Sequence, residues 1–271
     1  MSFAPGHVSL TFAIHNHADP LKMGSTGLGI VLPKGVYCSV VDEKNEGDSN
    51  SVIIGNEVVE DPVVLRAVEL LGYKNKGLSI FLRRDLPVGA GFGISGASAL
   101  AACLELDKNL GNCTQASHQA EIEYKTGLGD VIAISSAINQ GNFPLIIDRI
   151  SPGFNGETLS YHVNSKLVIC VSGLGRNTSE IISNPEWYEI INEVSSNLNI
   201  AEYDIRSVIK AGRIFTEKSG LINENLAEIL SQVPMGAAST IAHLGTSIVA
   251  VSDNIGELSE SLEKHGKILV L

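Results

Sequence analysis

Three polar side chains, Ser95, Glu121 and Asp130, have the types and spacing to do chemistry together with the glycine-rich stretch "PVGAGFGISGAS", residues 87 to 98. That stretch joins a run that reads as a strand, "LSIFLRR", to one that reads as a helix, "ALAACLELD". A turn of this kind presents backbone N–H groups at the positive end of a helix, where an anion such as phosphate is stabilised. Ser95, in the first helical turn, has a hydroxyl that can reach a phosphate oxygen or a bound Mg²⁺. Tight packing accounts for the glycines Gly89, Gly91, Gly93 and Gly96 equally well, since glycine tolerates close approach at an entropic cost. The loop is neither a Walker A sequence, having no GK[ST], nor a dinucleotide fingerprint, having no acidic residue on a following strand. The carboxylates carry two readings each. Glu121 lies on a helical face with His118 and Lys125, where a solvated i,i+4 pair suffices. Asp130 follows a glycine at a turn, where it serves as a helix N-cap or as a base.

The elements that must position these groups read clearly in the first half of the chain. "HVSLTFAI", "GIVLP", "VYCSVVD" and "SVIIG" are short, β-branched and bounded by turn residues, as strands are. "DPVVLRAVELLG" predicts a helix with Asp61 as N-cap, Pro62 at its first position and Gly72 past its end. A helix runs from the glycine-rich stretch through Leu106, another from about Thr114 to Lys125, and "FPLIIDRI" returns to strand. Beyond residue 156 come a strand "KLVICVS", a helix opened by Asn184-Pro185, and helices over 203–218 and 223–233. "TSIVAVS", a helix over "NIGELSESLEK" and a strand "KILVL" end the chain. The fold class is α+β, with two domains, residues 1–155 and 156–271, and the break in "SPGFNGE".

Composition bounds the partners. The 271 residues carry a net charge of -11 and no basic run, which argues against nucleic acid or an anionic membrane. No apolar stretch approaches the length of a membrane span, and "MSFAPGHVSL" lacks the pattern of a signal peptide. Cys38, Cys103, Cys113 and Cys170 form no CxxC pair and have no His at ligand spacing, as idle thiols in a reducing cytoplasm would.

The pattern P-x-x-x-G-[LF]-G-x-S, here Pro87, Gly91, Phe92, Gly93 and Ser95, resembles the second motif of the GHMP kinases. "FAPGHVSLTFAI" is similar to that family's first motif, and "TGLGDVIAISSAINQG" to a further turn and helix of the family. Within it, "PGHV", "MGSTGLGIVL", "GAGFGISGAS", "HQAEIEYKTGLGD" and "RISPG" resemble the archaeal pantoate kinases, strongly over residues 2 to 153 and thinly beyond. "MGAASTIAHLGTSIVAV" only loosely resembles the family's C-terminal third motif.

The resemblance implies an N-terminal domain like ribosomal protein S5 domain 2 and a ferredoxin-like C-terminal domain. It implies ATP- and Mg²⁺-dependent phosphorylation of the 4-hydroxyl of pantoate, in a cytoplasmic protein that forms a homodimer. It further implies ATP contacts from Pro87, Gly89, Ala90, Gly91, Phe92, Gly93, Ile94, Ser95, Gly96, Ala97 and Ser98. Catalysis would fall to Ser95, Glu121 and Asp130, with Ser95 and Glu121 on the metal and Asp130 as base. Ser25, His118 and Arg149 would hold pantoate, the guanidinium gripping its carboxylate. Two departures stand out: Ile94 occupies a position where the wider family usually has Ser, and His7 one where it usually has Lys or Arg. A mevalonate or homoserine kinase, or a non-catalytic nucleotide-binding protein of the same fold, are the alternatives.

Overall fold

A single long strand organises the first half of the protein in the computed structural model, which describes residues 1–42, 48–173, 181, 183–200 and 202–271. This strand, β3 (Gly24–Asp42), covers what the sequence reads as two strands, "GIVLP" and "VYCSVVD". Pro33 does not break it, because β1 (Ser2–Ser9) pairs both halves and shifts register between Pro5 and His7, opposite the proline. A ladder bond that proline cannot donate is therefore not required there.

Around β3 the first sheet takes the order β5-β4-β6-β3-β7-β8, with β1 and β2 (Ala13–His15) also paired to β3. The other members are β4 (Ser51–Ile54), β5 (Glu57–Val59), β6 (Leu78–Arg84), β7 (Leu145–Arg149) and β8 (Thr158–His162). "HVSLTFAI" divides between β1 and β2. Four helices pack with this sheet: α1 (Pro62–Leu70), α2 (Ile94–Leu106), α3 (Leu110–Tyr124) and α4 (Asp130–Ile138). The Asp61 carboxylate accepts from Val64 N and caps α1, and Gly72 takes the left-handed backbone past its end. Helix α3 begins earlier than expected, at Leu110, because Asn109 caps it by accepting from Asn112 N. Helix α2 is buried nearly all round, as its run of Ala, Leu and Gly requires.

The second sheet is antiparallel in the order β10-β11-β9-β12, formed by β9 (Val168–Val171), β10 (Ala238–Ile241), β11 (Ser247–Val251) and β12 (Lys267–Val270). Between β9 and β10 lie α5 (Pro185–Ser196), α6 (Ile205–Ser219) and α7 (Glu224–Ser231); α8 (Ile255–Glu263) joins β11 to β12. This order and these crossovers are those of a ferredoxin-like sandwich. β8 lies beyond the expected break at 155 yet pairs with β7, so the change of sheet falls between His162 and Val168. The two halves are not independent globules: Leu10, Leu28 and Phe92 share one core with Ile169, Val208 and Val249. That shared core fixes the glycine-rich loop against the second sheet.

Candidate active site

The loop before α2 holds three left-handed glycines, Gly89 at φ 80°, Gly91 at 92° and Gly93 at 58°. Gly93 is the N-cap of α2 and has no side chain to satisfy the first-turn N–H groups. Those donors are therefore left for an anion. Gly91 has a second duty: a Cβ there would come within 2.8 Å of Ala242 Cβ, on the 242–245 turn of the second sheet. Ser247 Oγ donates to the Ala90 carbonyl at 2.8 Å and clamps the same contact. Phosphate cradle and tight packing are thus both true of this stretch.

A cavity of about 310 Å³ opens beside the loop. Val88, Gly89, Gly91, Phe92, Gly93, Ile94 and Ser95 form one wall, and Glu121 together with residues 124–130 forms the other. Ser25 joins from β3, and His243 and Leu244 close it from the second half. Some residues of the expected ATP loop do not themselves line this cavity. Ala90, Ala97 and Ser98 are buried in the core rather than in this wall, and Ser98 Oγ accepts from Arg84 Nε. Gly96 faces Glu121, and exposed Pro87 lies outside the cavity.

Glu121 is 2 % exposed although it is charged by type. Its Oε1 accepts from Thr126 Oγ1 at 3.1 Å, and the Ser95 hydroxyl also bonds to its carboxylate. Burial first, and then the charge of Asp130, push its carboxyl up to about 8, against the smaller effect of those two hydrogen bonds. Lys125 does not pair with it. That residue is the left-handed C-cap of α3 and sends its ammonium to Ser183 Oγ at 3.2 Å, while its side chain lines the cavity.

Asp130 opens α4 in its first turn, so Gly129 and not Asp130 is the N-cap. Its Oδ1 meets His7 Nδ1 at 2.6 Å. Burial raises its carboxyl, but the His7 hydrogen bond, together with the nearby Arg149 guanidinium, outweighs this and holds it below the usual carboxylate range. Two carboxyls lining one cavity are thus driven apart in proton affinity, the pattern of divided labour in an active site.

Of the residues expected to hold an acceptor, Ser25 lines the cavity, with Gly129 leaving room for its hydroxyl. His118 and Arg149 do not line it. His118, 1 % exposed, bonds through Nε2 to the Met23 carbonyl at 3.0 Å and braces the turn before β3. Arg149 is also 1 % exposed and sits behind Gly129, with Nε on the Ser25 carbonyl and Nη1 facing His7. Arg83 and Arg84 are spoken for elsewhere: Arg83 lies over the Tyr37 ring and pairs with Asp85, and Arg84 pairs with Asp61. Sequence reasoning missed Thr126, Lys125 and His243 because nothing local distinguishes them from a turn, a helix end and a strand end.

Comparison with known proteins places this geometry. The family model for the GHMP kinases N terminal domain matches residues 62–137. A pantoate kinase of Methanocaldococcus jannaschii is 30% identical over 260 residues, 92% of this chain and 92% of the relative. The chain belongs to the pantoate kinases of the GHMP superfamily. Among solved structures, a phosphotransferase related to the CoA biosynthesis pathway superposes with a TM-score of 0.76 at 25% identity, covering 99% of this chain and 94% of the other. A mevalonate kinase from L. major, in complex with R-mevalonate, gives 0.64 at 15% identity over 99% and 94%, a likeness of fold alone. The α+β architecture with its ferredoxin-like second half is the one these kinases share, and ATP is the phosphoryl donor of such an enzyme.

Proposed function

We propose that this GHMP kinase transfers the γ-phosphoryl group of ATP to the 4-hydroxyl of pantoate. The observation that carries the reading is one cavity in which the uncapped start of α2 faces Glu121 and Asp130. Phosphoryl transfer is mostly positioning and charge stabilisation. The N–H groups of the first turn of α2 and the loop amides hold the triphosphate. Lys125 supplies a mobile ammonium at its edge, exchanging the Ser183 hydroxyl for a phosphate oxygen.

The residues fit a divalent cation. Glu121 is a buried carboxylate beside the Ser95 hydroxyl, with the negative charge of Asp130 near it. Mg²⁺ takes most of its ligands from phosphate and water, so one or two protein oxygens suffice. Glu121 and Ser95 would hold Mg²⁺, which would supply charge neutralisation to the phosphates.

Asp130 orients the acceptor hydroxyl and takes its proton. A strong base is not needed, because in a loose transition state the hydroxyl proton departs late. Ser25 offers a hydroxyl to the acceptor. Arg149 and His118 act from behind the wall: Arg149 places positive charge under an anionic acid, and His118 fixes the turn that carries Ser25's strand. The same reading places the chain in the cytoplasm, in keeping with four buried free thiols, and as a homodimer, in keeping with the family. Among the described residues no helix is long and apolar enough to cross a membrane.

The test is a screen of acceptors at fixed ATP and Mg²⁺, following ADP release. Turnover with pantoate and none with mevalonate, homoserine or galactose is expected; the reverse preference refutes the assignment. Asp130→Asn should lose turnover by about 10²- to 10⁴-fold while ATP still binds.

A further inference from the structure

Asp130 ends a chain of three side chains from three elements, with His7 and Arg149 buried behind it. His7 on β1 is fully buried and places Nδ1 2.6 Å from Asp130 Oδ1. On the far side of the same ring, Nε2 meets Arg149 Nη1 at 3.4 Å. Room for the imidazole exists because β3 carries Gly29 there, where any Cβ would collide with His7 Nε2. The backbone holds the ring in place as well, since His7 N donates to the Phe92 carbonyl at 2.9 Å in the glycine-rich loop. The register shift in β1 lies between Pro5 and His7, immediately ahead of this contact.

The proton positions follow from the donor inventory. A guanidinium has only donors, so the nitrogen facing it must keep its lone pair. The single ring proton then lies on Nδ1 and is donated to Oδ1. Burial, the largest influence, also lowers the proton affinity of His7 and favours a neutral ring, although Asp130 acts the other way. No described residue donates to Asp130 Oδ2, and the aspartate lines the cavity.

We propose that His7 is a positioning residue: Arg149 locks its neutral imidazole in the Nδ1–H tautomer, which pins Asp130 Oδ1 and leaves Oδ2 to receive the acceptor's proton. This deepens the reading of Asp130 as base and rests on it. It also assigns Arg149 a role that its buried place allows without contact to the acceptor.

The decisive experiment is a long-range ¹H–¹⁵N spectrum of the histidine rings in the full chain at pH 7, with His7→Asn used to assign the His7 signals. The Nδ1–H pattern is expected for His7. An Nε2–H pattern or an imidazolium overturns the proposal, and neither result depends on which acceptor the enzyme uses. Kinetics supply the second readout. His7→Leu should lower kcat by about 10- to 100-fold, as loss of a supporting hydrogen bond does elsewhere, with little change in KM. His7→Asn, whose amide N–H stands in for Nδ1–H, should recover most of that loss. Equal loss in both variants, or no loss in His7→Leu, overturns it.

Discussion

Gly96→Ala is the sharpest probe of how the catalytic carboxylate is seated. A Cβ at this position would lie 2.6 Å from Glu121 Oε2, 2.8 Å from Val131 Cγ2 and 2.9 Å from Glu121 Cδ. Ordinary contact begins near 3.4 Å, so the carboxylate must retreat by about 0.8 Å. It has little space to do so, because its other flank abuts Gly127, where an added Cβ would also strike Oε2. Thr126 and Ser95 hold it in that slot between two glycines. A displacement near 1 Å in a phosphoryl-transfer site costs on the order of 10²-fold in rate, equal to about 2.7 kcal/mol of barrier. Stability should change by less, a net loss of about 0–2 kcal/mol. Alanine gains about 1 kcal/mol over glycine inside a helix, against about 1–3 kcal/mol for overpacking. The assay pairs kcat for ADP release at saturating substrates with a thermal melt. A folded Gly96→Ala protein that keeps kcat within twofold of wild type would refute the seating of Glu121 described above.

Three further outcomes are expected. Lys125→Met should raise the KM for ATP by about 10-fold, the worth of one charge-assisted hydrogen bond, and leave the KM for pantoate nearly unchanged; titration of both substrates checks it. Asp61→Ala removes the cap of α1 and the partner of Arg84, whose Nη2 lies 2.5 Å from Asp61 Oδ2. It should lower stability by about 2 kcal/mol or more in denaturant melts with kcat retained, because neither group reaches the cavity. His243 is buried between Phe12 and Phe215, and burial holds its pKa down to about 3. The unfolded chain takes that proton near 6.5, so the histidine's contribution is full above pH 6.5 and lost as pH falls toward 3, by about 2 kcal/mol at pH 5. His243→Phe should remove that part of the slope between pH 7 and 5 in urea unfolding, and an unchanged slope contradicts it.

How much of this was legible in the chain differs by residue. The cap at Asp61, the strand-to-helix turn before Ser95 and the helix opened by Asn184-Pro185 are local signals, and each appears where its residues place it. Pro33 misled, because a proline reads as a strand break until the bulge opposite it in β1 is known. Glu121 and Lys125 read as a surface pair, since spacing along a helix does not record that the helix ends at Tyr124 with Lys125 in the left-handed conformation.

By itself the sequence determined the short-range decisions: which segments start and stop, where glycine must relieve the backbone, and which motifs stand in order. Those depend on side chains a few positions apart, and so they survive in a one-dimensional reading. Only the tertiary structure decided that a buried histidine on β1 would hold Asp130 on α4 with Arg149 of β7 behind it. Likewise it alone set Gly96 and Gly127 against one carboxylate. Contacts between residues so distant in sequence arise from how the sheet and helices pack, and no local pattern encodes them.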